Sequence, residues 1–373
     1  MDDKVKPRVA LFISNLGGGG VQNVIINLAG GLIIKGVTVD LVVGKAQGRN
    51  EQKTPQGVNL IDLNQKKVLL TLPGLLRYLF SFRPTVLMTA QTHVNIVGII
   101  AKLIYGKKLR LIICEHNDMQ AVLKTFPKER YRPLLARWLY PIADEIVAVS
   151  QGVAESLTTL TGLPGKKIRI LHNPLVSEEM LLKAKEHVSH PWFQVESPHV
   201  ALAVGRLEVQ KDFETLLQAI ALINQHRFLR LVILGEGIQR EKLISLAKNL
   251  GIREKVDLPG YVDNPYSYMN KSSVFVLSSR FEGFPGVLVE AIACGVPVVS
   301  TDCPSGPAEI LESGRIGRLV SVGDAVEMAA AIEDSLDNPF PIEESRKRAW
   351  DFSIVDAVEA YLDILLPECG EIS

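Results

Sequence analysis

Continuous apolar runs alternate along this chain with stretches whose apolar residues recur at three- and four-residue spacing. Residues 8–14 (RVALFIS), 37–43, 85–89, 109–114 and 145–149 read as strands, and 21–35 and 95–103 as helices. The strands are unbroken rather than alternating, as expected when helices cover both faces of a parallel sheet. After a short strand at 168–171 comes His172-Asn173-Pro174 and then the polar stretch KAKEHVSHPWFQVESPH, which reads as a linker. A second alternation follows, with strands at 199–204, 230–234, 255–258, 274–278 and 297–300. Helices are predicted at 213–226, 239–250, 266–271 and 287–294. The last stretch, 352–366, has helical spacing in Ile354, Val358, Tyr361, Leu362 and Leu365. The pattern predicts two Rossmann-like α/β domains in tandem, and 373 residues suit two cores better than one.

Composition adds an asymmetry. Residues 1–190 hold 25 Lys+Arg against 14 Asp+Glu, a net of +11, and the remainder 16 against 27, a net of −11. A basic half suits an anionic surface or a phosphorylated acceptor. Two of its stretches, LNQKKVLLTLPGLLRYLFSFR and PKERYRPLLARWLYP, mix bulky apolar residues with Lys and Arg. That is the pattern of helices lying on an anionic membrane. The apolar run 94–104 is short and broken by Lys102, and the first residues are polar, so neither a bilayer span nor a signal sequence is expected. Cys114, Cys294, Cys303 and Cys369 have no C-x-x-C spacing, which argues against a disulfide framework or zinc site and suits a cytoplasmic chain.

The chemistry concentrates in SSRFEGFPGVLVEAIACGVPVVST, 278–301. Glu282, Gly283 and Phe284 lie in the turn at a strand's carboxyl end, where open α/β sheets take ligands. Pro285 fits a helix start, and Gly286, Val287 and Leu288 then present backbone N–H groups at a positive helix end, a phosphate site. Glu290 shares a face with Gly286. Two carboxylates bracketing an anion site suit a nucleotide-sugar, with Glu290 at the ribose and Glu282 at the sugar.

Glu282 through Glu290, followed by Ala291, Ala293, Gly295, Pro297, Val298 and Val299, resembles the E-x7-E and A-x-A-x-G-x-P-V-V signature of retaining glycosyltransferases of family 4. The resemblance implies the GT-B fold: two Rossmann-like domains facing a central cleft, with a C-terminal helix crossing back to the first. On that basis 1–185 is expected to bind acceptor, 186–350 to bind donor, and 351–373 to form the crossover helix. It further implies that Arg206 and Lys211, in VGRLEVQKDF, clasp a donor diphosphate. Tyr261 and Val262 are candidates for the base, and His116 (ICEHND) and His93 (QTHVN) for the acceptor side. Glu309, in CPSGPAEIL, could shape the sugar pocket. No D-x-D triplet is present, which fits metal-independent chemistry with no cofactor beyond the UDP-sugar substrate.

The glycines of SNLGGGGVQN do not make a dinucleotide fingerprint. Neither frame supplies the third glycine, since Gln22 and Asn23 stand there, and Asp40 falls inside the second strand. They read instead as backbone that approaches a ligand closely, and the resemblance implies that Gly18 and Gly19 lie toward the acceptor and Gly19 and Gly20 toward the donor. Family members often carry G-G-A-E-R here; Gln22 keeps the shape of a Glu without its charge. The expectation is a retaining hexosyl or N-acetylhexosaminyl transfer from a UDP-sugar to a glycan or lipid-linked acceptor in surface polysaccharide synthesis. His116, Glu282, Arg206 and Lys211 are its catalytic group, acting peripherally on the inner face of the membrane without nucleic acid. The alternative is a UDP-sugar epimerase of the same fold; a dehydrogenase and a non-catalytic binding subunit fit the residues less well.

Overall fold

The computed structural model describes residues 7–47, 51–194 and 199–367; Cys369, the polar start and part of the linker lie outside them. The chain divides into two compact units, Met1–Leu175 with Ile354–Ser373, and Val176–Ser353.

Unit 1 runs β1 (Arg8–Asn15), α1 (Gly20–Ile34), β2 (Thr38–Lys45), β3 (Asn59–Asp62), α2 (Leu72–Phe82), β4 (Val86–Ala90), α3 (Thr92–Tyr105) and β5 (Arg110–Glu115). It continues with α4 (Met119–Thr125), α5 (Tyr131–Leu139), β6 (Glu145–Ala148), α6 (Gln151–Thr161) and β7 (Ile168–Ile170). All its strands pair in parallel, in the order β3-β2-β1-β4-β5-β6-β7. The central strands are buried because helices cover them: Val9 to Phe12 and Leu111 to Cys114 are fully inaccessible. Asp40, buried within β2, accepts from Arg8 at 2.9 Å, Asn59 at 2.9 Å and Tyr78 Oη at 2.5 Å. It is a structural pin between the sheet and α2, far from a ligand-binding place at a strand end.

Unit 2 contains α7 (Glu178–Ala184), β8 (Val200–Val204), α8 (Phe213–Ile223), β9 (Arg230–Leu234), α9 (Arg240–Asn249), β10 (Val256–Gly260), α10 (Pro265–Lys271) and β11 (Val274–Leu277). Then come α11 (Gly286–Cys294), β12 (Val298–Thr301), α12 (Pro307–Ile310), β13 (Arg318–Val320), α13 (Ala325–Asp337) and α14 (Ile342–Trp350). Its sheet is also parallel, in the order β10-β9-β8-β11-β12-β13. Leu216, Leu217 and Ile220 of α8 meet Met328 and Ile332 of α13 in a core built on β8 and β9. The division after Leu175 comes ahead of the break that composition suggested. α7 packs on α10, and the Val176 N–H donates to Phe352 O at 3.1 Å, so the segments that enter and leave unit 2 lie side by side.

The chain then returns to unit 1 through α15 (Ile354–Leu365), which packs on α1. Arg110 Nε donates to Ile364 O at 2.9 Å, and Lys35 pairs with Glu359 at 2.7 Å. Gly31 of α1 carries no side chain because a Cβ there would run into Val358 of α15. Gly31→Leu should therefore destabilise the protein by about 1–3 kcal/mol through overpacking, read as a lower urea midpoint. An unchanged midpoint would mean that α15 does not rest on this glycine.

Candidate active site

In unit 2 the chain direction across the sheet reverses between β8 and β11, since β9 lies on one side of β8 and β11 on the other. The loops after these two strands therefore splay apart and open a crevice. Lys211, from the loop after β8, donates from Nζ to Glu282 Oε1, from the loop after β11, at 2.6 Å. Both are largely buried, with side chains 16% and 9% exposed. Ser279 Oγ donates to the same carboxylate oxygen at 2.6 Å, and Ser278 Oγ to Lys211 O at 2.7 Å. The Lys211 stem passes over Gly205, whose Cβ would sit 3.2 Å from Lys211 Cε. Arg206 points elsewhere: it is exposed and pairs with Glu208 at 2.9 Å.

The neighbouring loops are laced by backbone bonds, Gly205 N to Leu234 O at 2.9 Å, Leu207 N to Glu236 O at 2.9 Å and Gly235 N to Gly260 O at 2.8 Å. Gly235, at φ +142°, admits no side chain, because a Cβ would strike Gly205 O. Half-buried Tyr261 and Val262 continue from this lacing at the end of β10. The loop before α12, which leads to Glu309, lies on the Glu282 turn: Glu282 N donates to Pro304 O at 3.3 Å, and a Cβ on Gly306 would meet Phe284 Cα at 3.1 Å.

α11 begins at Gly286 with Pro285 before it and no acidic residue in its first turn. Gly286 and Val287 have no intrahelical acceptor by position. The expectation of a third free N–H fails at Leu288, which donates to Pro285 O at 2.9 Å because the first turn tightens. The Leu288 side chain is fully buried, and the Phe284 ring packs edge-on against Phe352 at 5.1 Å, so these two offer backbone rather than side chain. Glu290 is half-buried beside Tyr266 of α10, and its charge is the largest cause pushing the Tyr266 phenol well up. Ser279 and Tyr266 were not singled out from sequence; the serine pair just after β11 was a usable signal for the first, and nothing local marked the second.

In unit 1 the same reversal falls between β1 and β4. The glycines follow β1: Gly18 has φ +88°, and Gly19 is the N-cap of α1. A Cβ on Gly19 would sit 2.6 Å from Gln22 Oε1, whereas one on Gly20 meets nothing within 4 Å. Buried Gln22 folds back over this loop, its Nε2 3.5 Å from Asn15 Oδ1. His93 lies in the first turn of α3 and His116 just past β5; no hydrogen bond joins them. His93 is half-buried, and burial foremost, then Arg132, lowers its pKa. His116 is 6% exposed, its Nε2 has no partner among the described residues, and burial pushes its pKa down to about 4. A neutral imidazole there can donate or accept a hydrogen bond but supplies no charge. Glu115, next to His116 in the chain and bonded to the Thr92 that precedes His93, is fully buried, accepting from Thr92 Oγ1 at 3.0 Å, Asn95 Nδ2 at 2.9 Å and Tyr140 Oη. Burial raises its pKa. The sequence placed it beside His116 but gave no sign of its partners.

Residues 18–179 match the family model Glycosyltransferase Family 4, and residues 185–351 match Glycosyl transferases group 1. The chain is 32% identical over 343 residues, 89% of its length and 90% of the relative's, to an N-acetylgalactosamine-N,N'-diacetylbacillosaminyl-diphospho-undecaprenol 4-alpha-N-acetylgalactosaminyltransferase of Campylobacter jejuni. A second protein of that organism, a GalNAc-alpha-(1->4)-GalNAc-alpha-(1->3)-diNAcBac-PP-undecaprenol alpha-1,4-N-acetyl-D-galactosaminyltransferase, is 26% identical over 96% of this chain and 98% of its own. Among solved structures, Anabaena HepE in complex with UDP and glucose aligns at TM-score 0.79 with 18% identity, over 96% of this chain and 99% of that one. A sucrose-phosphate synthase from Thermosynechococcus elongatus aligns at 0.81 with 19% identity, over 95% and 97%.

The buried His116 makes an acid-stability prediction. Below pH 6.5 the unfolded chain takes up a proton on this residue that the folded chain refuses until about pH 4. A depressed histidine thus costs about 1.4 kcal/mol of stability per pH unit lost across that window. Denaturant titrations at pH 7 and pH 5 should show His116→Asn losing about 2 kcal/mol less than wild type. Equal losses would mean that His116 protonates freely in the folded protein.

Proposed function

The chain belongs to the family 4 glycosyltransferases, with the GT-B fold, and on that premise we propose that it moves a hexose or N-acetylhexosamine from a UDP-sugar to a lipid-linked glycan, retaining the α configuration. The observation that carries the reading is the buried Lys211–Glu282 pair at the reversal point of unit 2, beside the helix end at Gly286. Lys211 keeps two N–H donors when Glu282 holds one, so it can take a diphosphate oxygen without releasing the carboxylate. Arg206, exposed and held by a surface pair, can swing to the same anion at little cost. The Gly286 and Val287 N–H groups add fixed dipoles. Glu290 is assigned to the ribose and Glu282 to the transferred sugar. The N-acetylhexosamine and lipid-linked acceptor follow the two Campylobacter relatives, whose names give both.

In the proposed reaction the bond from the anomeric carbon to the diphosphate breaks as the acceptor oxygen bonds to that carbon on the same face. The acceptor proton passes to the departing diphosphate. Arg206, Lys211 and the helix end stabilise the charge that grows on the leaving group, which assigns to protein cations what a metal does elsewhere.

The acceptor's lipid also needs a surface. α2 and α5 both pack against α3, and the Phe80 ring of α2 meets Tyr105 at a tilt, 5.0 Å between centroids. These helices and the turns ahead of α2 and α5 leave Leu69, Phe80, Leu103, Leu134 and Trp138 exposed, Trp138 by 71%, and the same segments carry exposed Lys67, Arg77, Lys128, Arg130 and Arg137. Exposed apolar residues interspersed with cations are what an anionic bilayer surface binds. No described helix is long and apolar enough to cross a membrane.

Two measurements test the reading. With a panel of UDP-sugars, UDP release should require a prenyl diphosphate-linked glycan, and Arg206→Ala should slow it ten- to a hundredfold or more, since a charge-assisted bond contributes roughly 1.5–3 kcal/mol. Interconversion of UDP-sugars without acceptor, or an unaffected Arg206→Ala, would overturn it. In flotation with vesicles containing phosphatidylglycerol, Trp138→Asp combined with Leu134→Glu should lose most binding. Retention of binding by this variant would remove the α2–α3–α5 face from the account.

A further inference from the structure

Gln91, in the turn between β4 and α3, has φ +85° and ψ 140°. Asp212, another non-glycine residue at positive φ, occupies the left-handed helical well at φ 47° and ψ 44°, which aspartate tolerates. Positive φ with extended ψ is a different matter: glycine adopts it freely and a Cβ opposes it. A glycine would make this turn with less strain, yet a glutamine stands there.

The backbone of the turn is held without help from that side chain. Gln91 N donates to Cys114 O at 3.1 Å, and Gln91 O accepts from Val94 N at 3.0 Å and Asn95 N at 2.9 Å. Thr92 and Asn95 are anchored in turn by buried Glu115, and Asn95 Oδ1 accepts from Thr89 Oγ1 at 2.7 Å. The side chain is half-buried, and its Oε1 accepts from Ser14 Oγ at 3.3 Å, at the end of β1. Its amide nitrogen donates to no described residue. Ser14 also receives Asn15 Nδ2 at 3.3 Å, and Asn15 Oδ1 receives Gly17 N at 2.8 Å, so Gln91 is tied to the glycine loop. All of this lies at the reversal point of the sheet, on the edge where parallel sheets take ligands. Two residues beyond Cys114 is His116, more than nine-tenths buried, with Nε2 also unpartnered among the described residues.

We infer that Gln91 contacts the acceptor, its side-chain N–H donating to a neutral oxygen, hydroxyl or amide carbonyl, of the acceptor sugar. The inference rests on the transferase reading above. The strained turn then has a purpose: it holds the amide in place before the ligand arrives, and the Glu115 cluster keeps the turn from relaxing.

The test uses the full chain and, as probe, a short-chain prenyl diphosphate bearing one N-acetylhexosamine, titrated calorimetrically without donor. Gln91→Gly should weaken probe binding about three- to tenfold, leave UDP affinity within about twofold, and melt no lower than wild type because strain is relieved. Gln91→Glu, which keeps the shape and removes the donor, should weaken the probe likewise. Wild-type affinity in both variants overturns the inference, as does a melting temperature in Gln91→Gly lower by more than about 3 °C, the mark of a structural role. A wild-type protein that does not bind the probe overturns it too. If the wild type binds the probe and the variants do not, but no UDP-sugar yields UDP, the transferase reading fails and the contact stands.

Discussion

The arrangement of unit 2 depends on one buried ion pair. Lys211 and Glu282 come from loops 71 residues apart and meet because β8 and β11 are neighbours at the point where the sheet reverses. Removing either partner would strand a charge in the interior, a loss of about 3–5 kcal/mol. The pair therefore constrains everything near it. Gly205 is small so that the lysine stem can pass, Ser279 supplies the second bond to the carboxylate, and Ser278 holds the lysine's own carbonyl. Arg206 is the contrast. It is exposed and its partner Glu208 partly so, and such a pair contributes about 0–1 kcal/mol. An anion arriving here meets one cation fixed in place and another that is free to move.

The helix end and the loops around it divide the remaining work. Lacing of the loops after β8, β9 and β10 leaves little backbone freedom, and the close approach at Gly235 sets how tightly they sit. The tightened first turn of α11 uses the Leu288 N–H internally, which leaves Gly286 and Val287 to present dipoles. Tyr266 stays protonated beside Glu290, so a hydroxyl accompanies that carboxylate wherever its ligand lies.

Much of this was legible in the sequence, and the parts that were not share a cause. Central strands such as 8–14 and 109–114 stood out because both their faces are covered, which makes them continuous apolar runs. The edge strands β3, NLID, and β13, RLV, are half-exposed and three or four residues long, so they left no such run. Glu282, Glu290 and the glycines between them could be read because their relation is local, set by one turn and one helix. The Lys211–Glu282 bond, the Tyr266–Glu290 proximity and the Glu115 cluster are relations between distant segments. Periodicity has no access to these, and composition even less. Leu288 and Phe284 show the converse: a motif identifies a stretch of backbone without saying which of its side chains turn inward.

The two units repeat one topology with different chemistry at the corresponding place. In each, the loop after the second strand at the reversal point reaches back to the first: Glu282 to Lys211 in unit 2, Gln91 to Ser14 in unit 1. One contact is a buried ion pair suited to a doubly charged leaving group. The other is a hydrogen bond between neutral groups, in a setting whose nearby histidine is held neutral and whose nearby carboxylate is already satisfied by three donors. A site that must grip a diphosphate needs charge and can accept the cost of burying it. A site that must distinguish hydroxyls on a neutral sugar gains more from fixed, uncharged donors, because an unmatched polar group in a desolvated pocket is penalised heavily. The donor and acceptor roles proposed for the two units would thus draw on the kind of bond each sheet makes across its own reversal point.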